Sequence, residues 1–298
     1  MAQKFRLGLV QMSCPDDDNL EKAITKVREA AARGAQIVCL QELFRTEYFC
    51  REEVNAARFD LAETIPGPAT EALGKVAREL GVVIVASLFE KRTAGLYHNT
   101  AVVLSTDGSI AGVYRKMHIP DDPQYFEKYY FTPGDTGFGA IDTPFARIGV
   151  LVCWDQWYPE AARITAMSGA DVLIYPTAIG WLPADKEHYG ESQRDAWITI
   201  QRSHAIANGI YVAAINRIGW EGASAKKIEF WGSSFVADPQ GRFLAQASTN
   251  KEEILIVECD PQLMEDTRRG WPFFRDRRVD AYGPILNRWI SPKGPGSR

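Results

Sequence analysis

The chain has 298 residues, 46% hydrophobic and 24% charged, with a formal net charge of −4. It is too apolar for disorder, has no Lys/Arg stripe to suggest a nucleic-acid partner, and lacks both a signal-peptide pattern and an unbroken apolar run of about 18 residues, which together predict a cytoplasmic protein with no membrane partner. Its five cysteines show no CxxC spacing and its four histidines no HExxH, so neither a disulfide framework nor a metal site is expected.

In chain order, apolar runs of strand length lie at 5–12, 35–42, 81–90, 98–105, 147–153, 170–177, 210–219 and 252–260. Segments with apolar residues at helical spacing fall among them, at 19–34, 69–81, 160–170 and 196–209, and three of the four close on glycine. The turns Thr106-Asp107-Gly108 and Asp238-Pro239-Gln240-Gly241 predict β-hairpins within 96–116 and 231–248. The pattern predicts an α/β fold, with a mixed sheet or two packed sheets and helices outside. One domain over 1–290 is expected, followed by a flexible C-terminal tail over 291–298, "SPKGPGSR".

Cys153 ends the run "RIGVLVC" and precedes "YPEAAR", where Pro159 suits the first turn of a helix. A thiol at such a strand–turn–helix bend is presented to a pocket, although most free cysteines simply pack. A free thiol is mostly protonated at neutral pH, so a nucleophile needs a base and a nearby cation. Glu42, closing "AQIVCLQE" beside "LFRTEYF", is the candidate general base; the plainer reading is a solvated loop glutamate. Lys116, in "YRKMHIP", offers a charge that favours thiolate and stabilises an oxyanion; alone it reads as a surface lysine.

"LQELF" (40–44), "YRKMHIP" (114–120) and "LVCWDQWYPE" (151–160) resemble, in this order, the Glu, Lys and Cys motifs of the nitrilase superfamily of carbon–nitrogen hydrolases. The similarity runs from "LGLVQM" to "FRDRRVDAYGPI" (274–285). The resemblance implies a four-layer α-β-β-α sandwich with Cys153 as nucleophile, Glu42 as base and Lys116 as oxyanion support. Glu127 in "YFEKYYF" matches the second glutamate of the superfamily, which orients the lysine or the substrate, and the N–H of Trp154 is a second oxyanion donor. No cofactor is needed. The resemblance also implies a homo-oligomer built from dimers, and the aromatic- and arginine-rich run 271–290 is read either as its interface or as packing on its own chain.

Within the superfamily, "ELFRTEYFCRE" (42–52), "YPTAIG" (175–180) and "NRIG" (216–219) most resemble the N-carbamoylputrescine amidases of polyamine synthesis, which implies hydrolysis of N-carbamoylputrescine to putrescine, carbon dioxide and ammonia. Where those amidases often have Ser-Glu-Pro, this chain has Trp181-Leu182-Pro183, so the carboxylate for a substrate ammonium is sought in Asp185, Glu187 or Glu191, in a stretch that also reads as a solvated acidic loop. Tyr48, Trp154 and Trp181 are expected to line an apolar channel for a butyl chain, although aromatics near a strand end also read as simple packing, and Glu187 is expected to bind substrate. The alternative is an N-carbamoyl amino acid hydrolase of the β-ureidopropionase type or an ω-amidase, with Arg194 or Arg202 meeting a substrate carboxylate. A catalytically silent assembly partner is the reading from another class; the intact Glu42, Lys116 and Cys153 set argues against it.

Overall fold

Strands apolar on both faces require cover on both faces, and near-continuous apolar runs are typical of parallel strands inside a layered fold. The computed structural model describes residues 3–15, 18–223 and 227–290, so the tail expected at 291–298 lies outside the described residues. Its first half contains β1 (Phe5–Gln11), α1 (Leu20–Ala32), β2 (Ile37–Cys39), α2 (Pro68–Leu80), β3 (Val83–Thr93), β4 (Leu96–Leu104), β5 (Ile110–Arg115), the single turn α3 (Glu127–Tyr130) and β6 (Ala140–Asp142). There follow β7 (Arg147–Val150), α4 (Pro159–Met167), β8 (Val172–Thr177), β9 (Gly180–Trp181), α5 (Pro183–Asn208), β10 (Tyr211–Asn216), β11 (Ile218–Glu221), β12 (Ile228–Trp231), β13 (Phe235–Ala237), β14 (Phe243–Gln246), β15 (Glu253–Cys259) and α6 (Pro261–Gly270).

Two six-stranded sheets result, in the orders β15-β1-β2-β3-β4-β5 and β14-β13-β10-β8-β7-β6, and β11-β12-β9 forms a small third sheet. The central strands β1-β2-β3 and β7-β8-β10 run parallel. Alternation along each strand sets the layers. Leu7, Leu9, Ile37, Val83 and Val85 of the first sheet join Ile148, Val172, Ile174 and Val212 of the second in one buried core. The intervening Val10, Val38 and Ile84 point the other way, onto Val27 and Ala30 of α1 and Leu73 and Ala77 of α2. Ala162 of α4 with Trp197 and Ala205 of α5 covers the second sheet. The architecture is an α-β-β-α sandwich.

The structure differs from the sequence-based expectations at element ends. The acidic stretch "PADKEHYGES" is no loop: α5 starts at Pro183, thirteen positions before the predicted start, and runs to Gly209, whose φ of 58° ends it. A proline in the first helical turn costs no hydrogen bond, so it starts this helix rather than breaking it. The run 210–219 divides at Arg217 into β10 and β11, and the runs ending on Glu42 and Cys153 leave their sheets after Cys39 and Val150. Helix α6 is not among the helices predicted from the sequence. Among the described residues no helix is long and apolar enough to cross a membrane.

Candidate active site

Glu42 and Cys153 each stand three residues past the carboxyl end of a central parallel strand, β2 and β7, where open α/β sheets gather reactive groups. Lys116 directly follows β5. Its neighbour Arg115 is anchored outward by two 2.7 Å hydrogen bonds to the buried Glu90, and the strand alternation turns Lys116 inward. There the Lys116 Nζ donates to Glu42 Oε1 at 2.8 Å and to Glu127 Oε2 at 2.7 Å, with all three side chains fully buried. Glu127 opens the turn α3 and also accepts from the Tyr48 hydroxyl at 2.7 Å. Asn99 Nδ2 donates to Glu42 Oε1 at 2.7 Å, which leaves Glu42 Oε2 buried without a partner among the described residues.

A buried carboxylate oxygen with a free lone pair can accept a proton, and the charge of Glu42 is felt at the Cys153 thiol. Burial and then the Glu42 carboxylate push the Cys153 thiol well above its ordinary value, with Lys116 opposing them. The proton therefore stays on sulfur until a base takes it. Burial works against the charge of Lys116, but Glu127 and Glu42 outweigh it and hold the ammonium well above the usual lysine range. Burial pushes Glu127 up to about 7, against the pull of Lys116.

Cys153 sits at φ 43°, a left-handed conformation that costs an L-residue about 1–2 kcal/mol. The fully buried Asp155 holds this bend. Its Oδ2 accepts the Val152 N–H at 2.9 Å and the Tyr114 hydroxyl at 2.8 Å, and its Oδ1 accepts the His118 N–H at 3.1 Å and pairs with the His118 ring at 2.7 Å. One carboxylate thus ties the thiol bend to the segment that carries Lys116.

Cys153 opens onto a cavity of about 350 Å³ walled by Tyr125, Trp154, Trp157, Ile179, Leu182 and Trp231, whose charged members are Asp122 and Asp185. Trp154 lies where the sequence reading put it. Tyr48 and Trp181 do not: Tyr48 is wholly buried behind Glu127, and the Trp181 indole N–H donates to the Gly190 carbonyl at 2.7 Å while its ring packs on Trp231. Glu187 is exposed and outside the cavity wall, as is Glu191. The reason is helical: two residues turn a side chain through about 200°, so with Asp185 facing the cavity Glu187 faces solvent. Arg194 donates to Ser233 Oγ and Arg202 to the Gly241 carbonyl, and neither lines the cavity. Asn99, Tyr125, Asp155 and Trp231 escaped the sequence reading. A polar Asn99 within the apolar run 98–105 and an aspartate two positions past the thiol were the available signals.

The carbon–nitrogen hydrolase profile matches residues 6–269. An N-carbamoylputrescine amidase of Solanum lycopersicum is 44% identical over 296 residues, covering 96% of this chain and 97% of that protein. A citrullinase of Francisella tularensis is 40% identical, covering 96% and 99%. The crystal structure of a carbon–nitrogen hydrolase from Helicobacter pylori G27 superposes with a TM-score of 0.92 at 49% identity, over 97% of this chain and all of that one.

Proposed function

The chain belongs to the carbon–nitrogen hydrolase family, and from that premise we propose that this amidohydrolase takes a ureido group at the end of a cationic chain, N-carbamoylputrescine first among such substrates. The observation that carries the reading is the charge of the cavity: among the described residues Asp122 and Asp185 line it, and no lysine or arginine does. A substrate ammonium finds a partner there; a substrate carboxylate finds none, and a buried unpaired charge is costly. Asp185 supplies, one helical turn on, the carboxylate that Leu182 lacks. The similarity to N-carbamoylputrescine amidases supports the same choice.

The proposed chemistry draws on Glu42, Lys116 and Glu127, which are joined by hydrogen bonds, and on the Cys153 thiol, which feels the charge of all three. Glu42 Oε2, the partnerless oxygen, takes the Cys153 proton as sulfur adds to the ureido carbon. The Lys116 ammonium and the Trp154 N–H meet the oxyanion, in a site where burial strengthens both. Glu42 returns the proton to the leaving ammonia, and the S-bound carbamoyl group, still carrying the aminobutyl chain, is attacked by water that Glu42 deprotonates. The carbamate released loses carbon dioxide to give putrescine. Glu127 and Tyr48 hold the lysine in place.

Turnover of N-carbamoylputrescine, citrulline and N-carbamoyl-β-alanine by purified protein tests this. The expected kcat/KM falls in that order, because citrulline adds a carboxylate and N-carbamoyl-β-alanine replaces the ammonium with one. Asp185→Asn should raise KM for N-carbamoylputrescine with little change in kcat. Preference for N-carbamoyl-β-alanine would overturn the proposal.

The premise extends to assembly. Leu286 is 90% and Trp289 78% exposed, and this apolar arm supports a homo-oligomer built from dimers through 271–290. Sedimentation should give an oligomer that Leu286→Asp with Trp289→Asp dissociates; a monomeric parent protein would reject this.

A further inference from the structure

Behind the cavity lies a second pair of buried charges to which the chemistry above gives no work. Arg217 stands at the break between β10 and β11 with no exposure, and Glu221 closes β11 at 4%. Arg217 Nη1 donates to Glu221 Oε1 at 2.8 Å and to the Thr46 carbonyl at 3.3 Å. Its Nη2 donates to the backbone carbonyls of Glu42 at 2.7 Å and Leu43 at 3.0 Å. The guanidinium lies over the Phe230 ring at 5.3 Å. Burying a charged pair is expensive, and an apolar pair of similar volume would serve the fold as well or better.

The contacts show what the pair does. Leu43 has a φ of 46°, so the chain bends sharply right after Glu42. Nη2 holds both carbonyls of the bend while Nη1 holds Glu221 and the Thr46 carbonyl, so one planar guanidinium serves both sides at once, which the single nitrogen of a lysine does not reproduce. Glu221, in turn, accepts the backbone N–H of Tyr48, whose hydroxyl donates to Glu127 Oε1. One ion pair therefore reaches both carboxylates that flank Lys116: Glu42 through its own backbone, and Glu127 through Glu221 and Tyr48. The small displacement that matters here is well below the width of a side chain, since misplacing a reacting group by about 1 Å costs on the order of 10²-fold in rate.

We infer that Arg217, with Glu221, is a positioning residue for the hydrolytic site, fixing the base Glu42 and the Lys116-holding Glu127 in register with Cys153. The inference rests on the roles proposed above for those groups. It also explains why the run 210–219 is interrupted at Arg217: the chain gives up strand continuity to place a cation beneath the bend.

Two variants test it, Arg217→Lys and Glu221→Gln, each with three readouts: the thermal midpoint, kcat and KM for N-carbamoylputrescine, and the rate of Cys153 alkylation by iodoacetamide followed by peptide mass mapping. Arg217→Lys should melt earlier yet cooperatively. Well below its midpoint it should show kcat reduced on the order of 10²-fold, KM little changed, and Cys153 alkylation slowed in parallel. Glu221→Gln should shift all three the same way by less. Parental kcat and alkylation in either folded variant would overturn the inference, because a purely structural pair would change only the midpoint. Failure of both variants to fold would assign the pair to the fold and overturn it too. If the parent protein does not turn over N-carbamoylputrescine, the substrate reading fails alone; the alkylation arm needs no substrate.

Discussion

Replacing Lys116 by methionine keeps an unbranched side chain of similar length and deletes the charge between two carboxylates. Glu42 Oε1 and Glu127 Oε1 lie 2.8 and 2.9 Å from the same Nζ, so they are no more than about 6 Å from each other. At an effective dielectric of about 20, two unit charges at that separation repel by about 3 kcal/mol, equivalent to about two pK units. Breaking a buried pair by removing one partner costs about 3–5 kcal/mol, so the variant should lose that much stability at pH 8. The loss should shrink as the pH falls. A carboxylate whose folded-state pKa is raised above its unfolded value binds its proton more tightly when folded, so stability is greatest below the unfolded value and declines as pH rises through the folded one. Burial already pushes Glu127 up to about 7, and losing the cation moves it further in the same direction. Urea unfolding of both proteins at pH 6 and pH 8 reads the difference directly. Ammonia release should fall at least on the order of 10²-fold at either pH, the usual effect of losing one oxyanion donor. A variant as stable as the parent at pH 8, or one penalised more at pH 6 than at pH 8, would show that Lys116 does not offset the repulsion between Glu42 and Glu127.

Other consequences are independent of that experiment. Tyr48→Phe removes the hydroxyl that favours the Glu127 carboxylate, so the acid limb of kcat/KM should move to higher pH, and a limb that stays or moves lower would contradict the role of Glu127. Asp155→Asn deprives the Val152 and His118 N–H groups and the Tyr114 hydroxyl of a common anionic acceptor, and should cost about 1–3 kcal/mol in urea unfolding with a parallel loss of turnover; a change below about 0.5 kcal/mol would show that the bend at Cys153 stands without it.

Much of the fold was legible because its central strands are buried on both faces and so read as apolar runs, as Leu7 to Val10 and Val172 to Ile174 do. Strand ends were not, because Leu40 and Leu151 are as apolar as the ladder residues before them, and each still donates one N–H to the neighbouring strand although the strand has ended. The start of α5 was hidden by its charge: "PADKEHYGES" has no apolar stripe because one side faces solvent, while Asp185 lies against the cavity. Glu42, Lys116, Glu127 and Cys153 could be located from local motifs. Their supports could not, since Asn99 and Glu221 come from strands distant in sequence and Arg217 from the break between β10 and β11, and they meet the site only in the folded chain. Tyr48 was legible as an aromatic near the site but not as a donor to Glu127, because that contact joins a segment after β2 to the turn α3.

During turnover the sulfur of Cys153 should become covalently bonded to the substrate carbon. Rapid acid quenching of the enzyme with N-carbamoylputrescine, followed by peptide mass mapping, tests it most directly. The expected result is an aminobutylcarbamoyl adduct on the peptide containing Cys153 and no turnover in Cys153→Ala. Steady turnover in that variant, or an adduct on another residue, would contradict it.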